Sequence, residues 1–232
     1  MQICGLQKTT LLDYPGKVAA TVFIAGCNYR CPFCHNMNLV EKENRPPVIE
    51  EAEIFSFLKK RAGILDGVCI TGGEPLLNAE LADFISGIKE LGLSVKLDTN
   101  GTRPDMLKEL AEDGLIDYVA MDIKSSPDSY ALVTGVKDPG LDKVKESIAF
   151  LMNGRLDYEF RTTVIKEYHN EYCFKRIGEM IRGCQNYYLQ SFTDSDHVKD
   201  HSLNACRREE LLLAVKLLEA YNVKAFIRGT DI

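Results

Sequence analysis

The stretch VCITGGEPLLNAELADFISGIKELGLSVKLD, residues 68–98, decides the fold. Val68-Cys69-Ile70 is a short apolar run of strand length, closed by Gly72 and Gly73. Leu81, Phe84, Ile85, Ile88 and Leu91 then recur three and four apart, the spacing that gathers apolar side chains on one helix face. Gly92 follows where a helix C-terminus favours a left-handed residue, and Ser94-Val95-Lys96-Leu97 resumes the strand pattern. Strand, helix and strand in so short a span predict a right-handed crossover between parallel neighbours.

The same alternation runs outward in both directions. Apolar runs at Val18–Ile24, Tyr118–Met121, Tyr158–Val164, Tyr187–Leu189 and Val223–Ile227 read as further strands. Leu141, Val144, Ile148 and Leu151 mark another helix, and Gly114 ends one more. The proline-rich, charged segment 41–47 reads as a loop leading into a helix. Six or more strand–helix units predict an α/β fold with parallel strands in a full or partial (β/α) barrel. At 232 residues this is expected to be a single domain, 1–232. Chemically capable residues gather just after the strands: Thr71-Gly72-Gly73-Glu74, Asp98-Thr99-Asn100-Gly101, and Asp122 with Lys124, while Arg161 lies within its strand. In parallel barrels the C-terminal strand ends build the active site.

Hydrophobic content of 45% and charged content of 27% are those of an ordinary soluble domain. A formal charge of −6 argues against a nucleic-acid partner, which wants a basic face. No apolar run approaches the roughly 20 residues that cross a bilayer, and the N-terminus lacks a signal-peptide pattern, so a cytoplasmic protein with no membrane partner is expected. Eight cysteines in such a chain should be thiols, and clustering among them points to metal or redox chemistry.

They do cluster. Gly26-Cys27-Asn28-Tyr29-Arg30-Cys31-Pro32-Phe33-Cys34-His35 places three thiols in one short loop. A [4Fe–4S] cubane normally takes four thiolates, so three leave one iron free to bind a small molecule. A zinc site completed by His35 and a set of unliganded thiols are the alternatives. Cysteines 4, 69, 173, 184 and 206 are scattered and offer no second motif.

Cys-x3-Cys-x2-Cys, with Phe33 before the last cysteine, resembles the signature of the radical S-adenosylmethionine (SAM) superfamily. The longer run from Gly5 to Gly16 (GLQKTTLLDYPG), with Cys-Pro-Phe-Cys-His-Asn36, resembles the activating proteins of glycyl-radical enzymes, above all those of anaerobic ribonucleoside-triphosphate reductase. The resemblance implies a cluster on Cys27, Cys31 and Cys34 whose free iron chelates the amino and carboxylate groups of SAM. Reductive cleavage then gives a 5′-deoxyadenosyl radical, which takes hydrogen from a glycine of a large partner. A small donor such as flavodoxin or ferredoxin would supply the electron.

The resemblance also assigns SAM contacts. Gly72, Gly73 and Glu74 match the motif that receives the methionine amino group; from composition alone such a segment is more often a turn. Asp98 falls at the methionine or ribose region, with Thr99 and Asp122 near a monovalent cation that relatives can hold. Lys124 suits a carboxylate, although Asp122 and Lys124 also read as a plain salt bridge. Arg161 and Val164 match a strand flanking ribose and adenine. Phe192 stands where relatives carry a histidine, and stacking on adenine and simple core packing are both open. His35 is at most a support for the cysteine loop. His169, His197 and His201 have no motif around them and are expected to face solvent.

Overall fold

The computed structural model describes residues 1–43 and 45–229, so Asn44, inside the loop expected at 41–47, lies outside the described residues. All eight strands join one sheet in chain order: β1 (Ile3–Thr10), β2 (Ala19–Ile24), β3 (Gly67–Gly72), β4 (Ser94–Thr99), β5 (Tyr118–Asp122), β6 (Asp157–Val164), β7 (Tyr187–Ser191) and β8 (Ala225–Arg228). From β2 to β8 every pairing is parallel, and β1 runs antiparallel to β2. Among the described residues no ladder joins β8 to β1, so the sheet is not closed.

Each predicted strand overlaps an observed one; β1 adds to them. Its sequence, ICGLQKTT, is half-exposed and carries Gly, Gln and Lys where an apolar run would have announced a strand.

Helices fill the crossovers: α1 (Met37–Val40), α2 (Glu51–Arg61), α3 (Leu81–Glu90), α4 (Pro104–Glu112), α5 (Tyr130–Thr134), α6 (Leu141–Asn153), α7 (Glu171–Met180) and α8 (Arg208–Glu219). Gly92 and Gly114 adopt the left-handed conformation expected after α3 and α4.

The pleat divides the sheet's two faces, because successive side chains point to opposite sides. Val22, Ile70, Leu97, Val119 and Leu189 face outward and share one buried cluster with Leu58, Ile85 and Leu107 of the helices and Ile148 of α6. Each such side chain contributes roughly 1.5–3 kcal/mol when fully buried. The opposite face carries Thr71, Asp98, Asp122, Arg161, Thr163 and Gln190, all of which reach one cavity at the C-terminal strand ends. No helix of the described residues is long and apolar enough to cross a membrane.

Candidate cofactor site

The cysteine loop leaves β2 after Ile24 and is tied down on every side. Gly26 N–H donates to Leu39 O at 2.9 Å and Arg30 N–H to Thr134 O at 2.8 Å. Arg30 Nη1 turns back onto Cys27 O at 2.7 Å, and Tyr29 OH reaches Pro139 O at 2.7 Å. Asn28 bridges to the end of β4, donating to Thr102 Oγ1 at 3.0 Å and accepting from Asn100 Nδ2 at 2.8 Å. Phe33 is buried with its ring 6.4 Å from that of Tyr168. The segment after β7 closes the far side: Lys199 and Asp200 N–H donate to Pro32 O at 3.2 and 3.1 Å. His35 Nε2 meets Thr193 O at 2.6 Å.

Cys27, Cys31 and Cys34 line a cavity of about 930 Å³, together with Phe33, Gly72, Gly73, Asp98, Asp122, Lys124 and Arg161. The fold thus brings together ten of the eleven residues singled out in the sequence. Among the described residues no set of His, Cys, Asp and Glu converges as a single metal ion would require, and His35 is turned to Thr193. Three thiols spread along one cavity wall suit a multi-iron core better than one zinc ion.

Glu74, the eleventh, lies behind the cavity lining. It is 1% exposed, and its carboxylate accepts from Leu76 N–H at 3.1 Å, Thr99 Oγ1 at 2.8 Å and Asn100 N–H at 2.6 Å. Burial pushes its pKa up to about 7 against those three donors. The side chain ties the Gly-Gly-Glu turn to the end of β4. The paired glycines likewise meet backbone: Gly73 N–H donates to Ile24 O at 2.8 Å and Glu74 N–H to Gly26 O at 2.7 Å.

Charged groups meet across β4, β5 and β6. Arg161 spans two carboxylates, Nη1 to Asp98 Oδ2 and Nε to Asp122 Oδ1, both at 3.1 Å. Lys124 Nζ holds Asp122 Oδ2 at 2.8 Å, and the buried Lys96 holds Asp98 Oδ1. Burial works against both carboxylates, but Lys124 and Arg161 outweigh it at Asp122 and hold its pKa down to about 2. At Asp98 Arg161 and Lys96 do the same, lowering the pKa. Each of the four carboxylate oxygens meets at least one of these cations. Three cations against two carboxylates leave one surplus positive charge on the cavity wall. A surplus of that sign would suit an anionic group of a ligand.

Lys96 is a member of this network that no motif marks. A lysine inside an apolar strand, two residues before an aspartate and therefore on the same face, was the available signal. Two further expectations change, at Val164 and His169, and Phe192 takes one of the two roles left open for it. Val164 is buried on the outward face, because three residues along a strand reverse the side-chain direction, and Thr163 lines the cavity instead. Phe192 is buried beneath the His35 ring, 5.8 Å between centroids, as a core aromatic. His197 and His201 are exposed, but His169 is only 4% exposed. It hydrogen-bonds backbone on two sides.

The sequence profile of the Radical SAM superfamily matches residues 21–173, from β2 through the start of α7. The chain belongs to the radical SAM superfamily. Membership implies a [4Fe–4S] cluster and SAM, and the thiol triplet and surplus cationic charge fit them. A Methanocaldococcus jannaschii relative, provisionally named a glycyl-radical enzyme activating enzyme, is 32% identical over 198 residues, 84% of this chain and 81% of its own. A Thermococcus kodakarensis relative, provisionally named a GTP 3′,8-cyclase, is 34% identical over 144 residues, 60% of this chain but 45% of its own. Among solved structures, a radical SAM methyltransferase from Sphaerobacter thermophilus shares the fold with a TM-score of 0.70, covering 94% of this chain and 69% of that one at 17% identity.

Lys124→Ala should weaken SAM binding roughly tenfold to a hundredfold, the worth of a charge-assisted contact, while leaving iron content near wild type. Asp122 keeps Arg161 as a partner in that variant, so no buried charge is orphaned. Equal SAM affinity, measured by anaerobic equilibrium dialysis, would reduce Lys124 to a structural ion pair.

Proposed function

We propose that this chain is a glycyl-radical enzyme activase, with an anaerobic ribonucleoside-triphosphate reductase as the favoured partner and a small flavodoxin- or ferredoxin-like electron donor. When bound, the cluster and SAM supply a 5′-deoxyadenosyl radical able to take hydrogen from a glycine of the partner. The protein's own residues do the holding. Cys27, Cys31 and Cys34 fix the cluster to one wall and leave its fourth iron for SAM. Lys124 and Arg161 draw the methionine carboxylate to the opposite wall. Asp98 and Asp122 keep those cations in place, and Gly72 and Gly73 form a side-chain-free wall between. No general acid or base is required.

The observation that carries this reading is the match to the Methanocaldococcus jannaschii relative, which runs through most of both chains. The cyclase-named relative favours a second reading, a radical SAM enzyme acting on a small molecule, but this chain spans less than half of that protein. The run from Gly5 to Gly16 forms most of β1, which starts at the cavity end of β2 beside Phe23 and Ile24, and the turn at the opposite strand ends; none of its residues lines the cavity. It therefore supports the reductase partner through resemblance only.

Incubation of the reconstituted protein with SAM, reductant and the reductase of its own host should yield a persistent glycyl doublet in the electron paramagnetic resonance spectrum. SAM cleavage with no doublet on any glycyl-radical enzyme, but with turnover of a small substrate alone, would favour the second reading.

A further inference from the structure

Lys124 lies beyond the end of β5, where strand pairing no longer fixes the backbone. The last main-chain bond to β6 comes from Ile123 N–H, which reaches Arg161 O at 2.8 Å. Side chains take over from there. Thr162 Oγ1 donates to Ile123 O at 2.6 Å, and Lys124 N–H donates to Tyr130 OH at 3.3 Å. His169, from the turn after β6, places Nε2 3.0 Å from Lys124 O.

A carbonyl oxygen can only accept, so Nε2 carries the proton. In a neutral ring Nδ1 is then an acceptor, and Ile165 N–H donates to it at 2.9 Å. Nδ1 also lies 3.2 Å from Ile165 O, but that carbonyl already accepts from His169 N–H at 2.9 Å, and the shorter contact from Ile165 N–H makes Nδ1 the acceptor. Burial, which pulls the His169 pKa below its ordinary value, agrees with the neutral form. The same turn carries Tyr168, whose ring packs on Phe33 of the cysteine loop. It thus touches both walls of the cavity.

We propose that His169 is a positioning residue for SAM binding: it pins the Lys124 carbonyl and so aims the Lys124 ammonium into the cavity. This rests on Lys124 as the partner of the SAM carboxylate. Asparagine and glutamine separate the two halves of the ring's role. His169→Asn keeps an acceptor for Ile165 N–H but cannot reach Lys124 O; His169→Gln carries an amide donor to the Nε2 position.

The test is the SAM dissociation constant of anaerobically reconstituted protein, with iron content as control. His169→Asn should bind SAM about tenfold more weakly and His169→Gln within about twofold of wild type, both with wild-type iron. Added to Lys124→Ala, His169→Asn should cost less than about a further twofold, because both changes remove one contact. Wild-type affinity in His169→Asn alongside a weakened Lys124→Ala would overturn the proposal, as would losses that simply multiply. Unchanged affinity in Lys124→Ala alone would overturn the reading of Lys124 beneath it. Independently of any variant, imidazole ¹⁵N shifts of the wild-type protein should report the Nε2–H tautomer at neutral pH. An Nδ1–H tautomer would break the Lys124 contact and refute the proposal.

Discussion

Replacing any one of Cys27, Cys31 or Cys34 with serine will leave the protein colourless after anaerobic reconstitution, with iron at no more than about a tenth of wild type. The reason is geometric as well as chemical. Hydrogen bonds to Leu39, Thr134, Pro139 and Thr102 hold the loop that carries the three sulfurs. The loop therefore cannot shift to bring another group into the missing place. Cys4, Cys69, Cys173 and Cys184 are buried elsewhere, and Cys206 lies just before α8. Serine at each of those five should leave iron content intact. The largest cost among them, about 1–3 kcal/mol, is expected where the new hydroxyl is fully buried. Loss of the cluster on changing any of the five would mean a fourth thiolate. The position reserved for SAM would then be filled, and SAM cleavage at an open iron would be ruled out.

Gly73→Ala should be severely damaging although it adds only one methyl group. A Cβ built there would stand 2.0 Å from Gly26 O and 2.6 Å from Gly26 C, far inside contact distance, although the Gly73 backbone itself is unstrained. Neither side can retreat freely: Glu74 N–H is bonded to Gly26 O, and Gly26 N–H to Leu39 O. Relief must come from moving Gly26, and with it Cys27. Overpacking of this kind costs about 3 kcal/mol, a fall of roughly 6–12 °C in Tm for a chain of this size. Iron retention should fall in parallel. Gly63→Ala, where a Cβ would meet nothing within 4 Å, serves as the neutral control. A Gly73→Ala protein with wild-type Tm and full iron would show that the two loops are free to separate.

The sequence made the parallel sheet legible because its strands are short apolar runs between helices of clear period, as in 68–98. β1 escaped because Gly5, Gln7 and Lys8 interrupt the apolar run. The cysteine loop was legible because its three thiols are neighbours along the chain, and the charged residues because Asp98, Asp122 and Arg161 each sit on a strand that could be read. The contacts of Glu74 were not legible because a carboxylate beside two glycines looks the same whether its oxygens face a ligand or Asn100 N–H. His169 was invisible because its partner lies 45 residues away, in a contact that no local pattern encodes.

The pleat of the sheet has a consequence for how such an enzyme can change. Along β6 the neighbours Phe160, Arg161, Thr162 and Thr163 serve two masters in turn: Phe160 and Thr162 are buried in the outer layer, while Arg161 and Thr163 reach the cavity. The helices hold the register of the outer set, while Arg161 is tied to Asp98 and Asp122. That leaves Thr163 as the position on this strand where the cavity wall can be rewritten without repacking the shell or orphaning a buried charge.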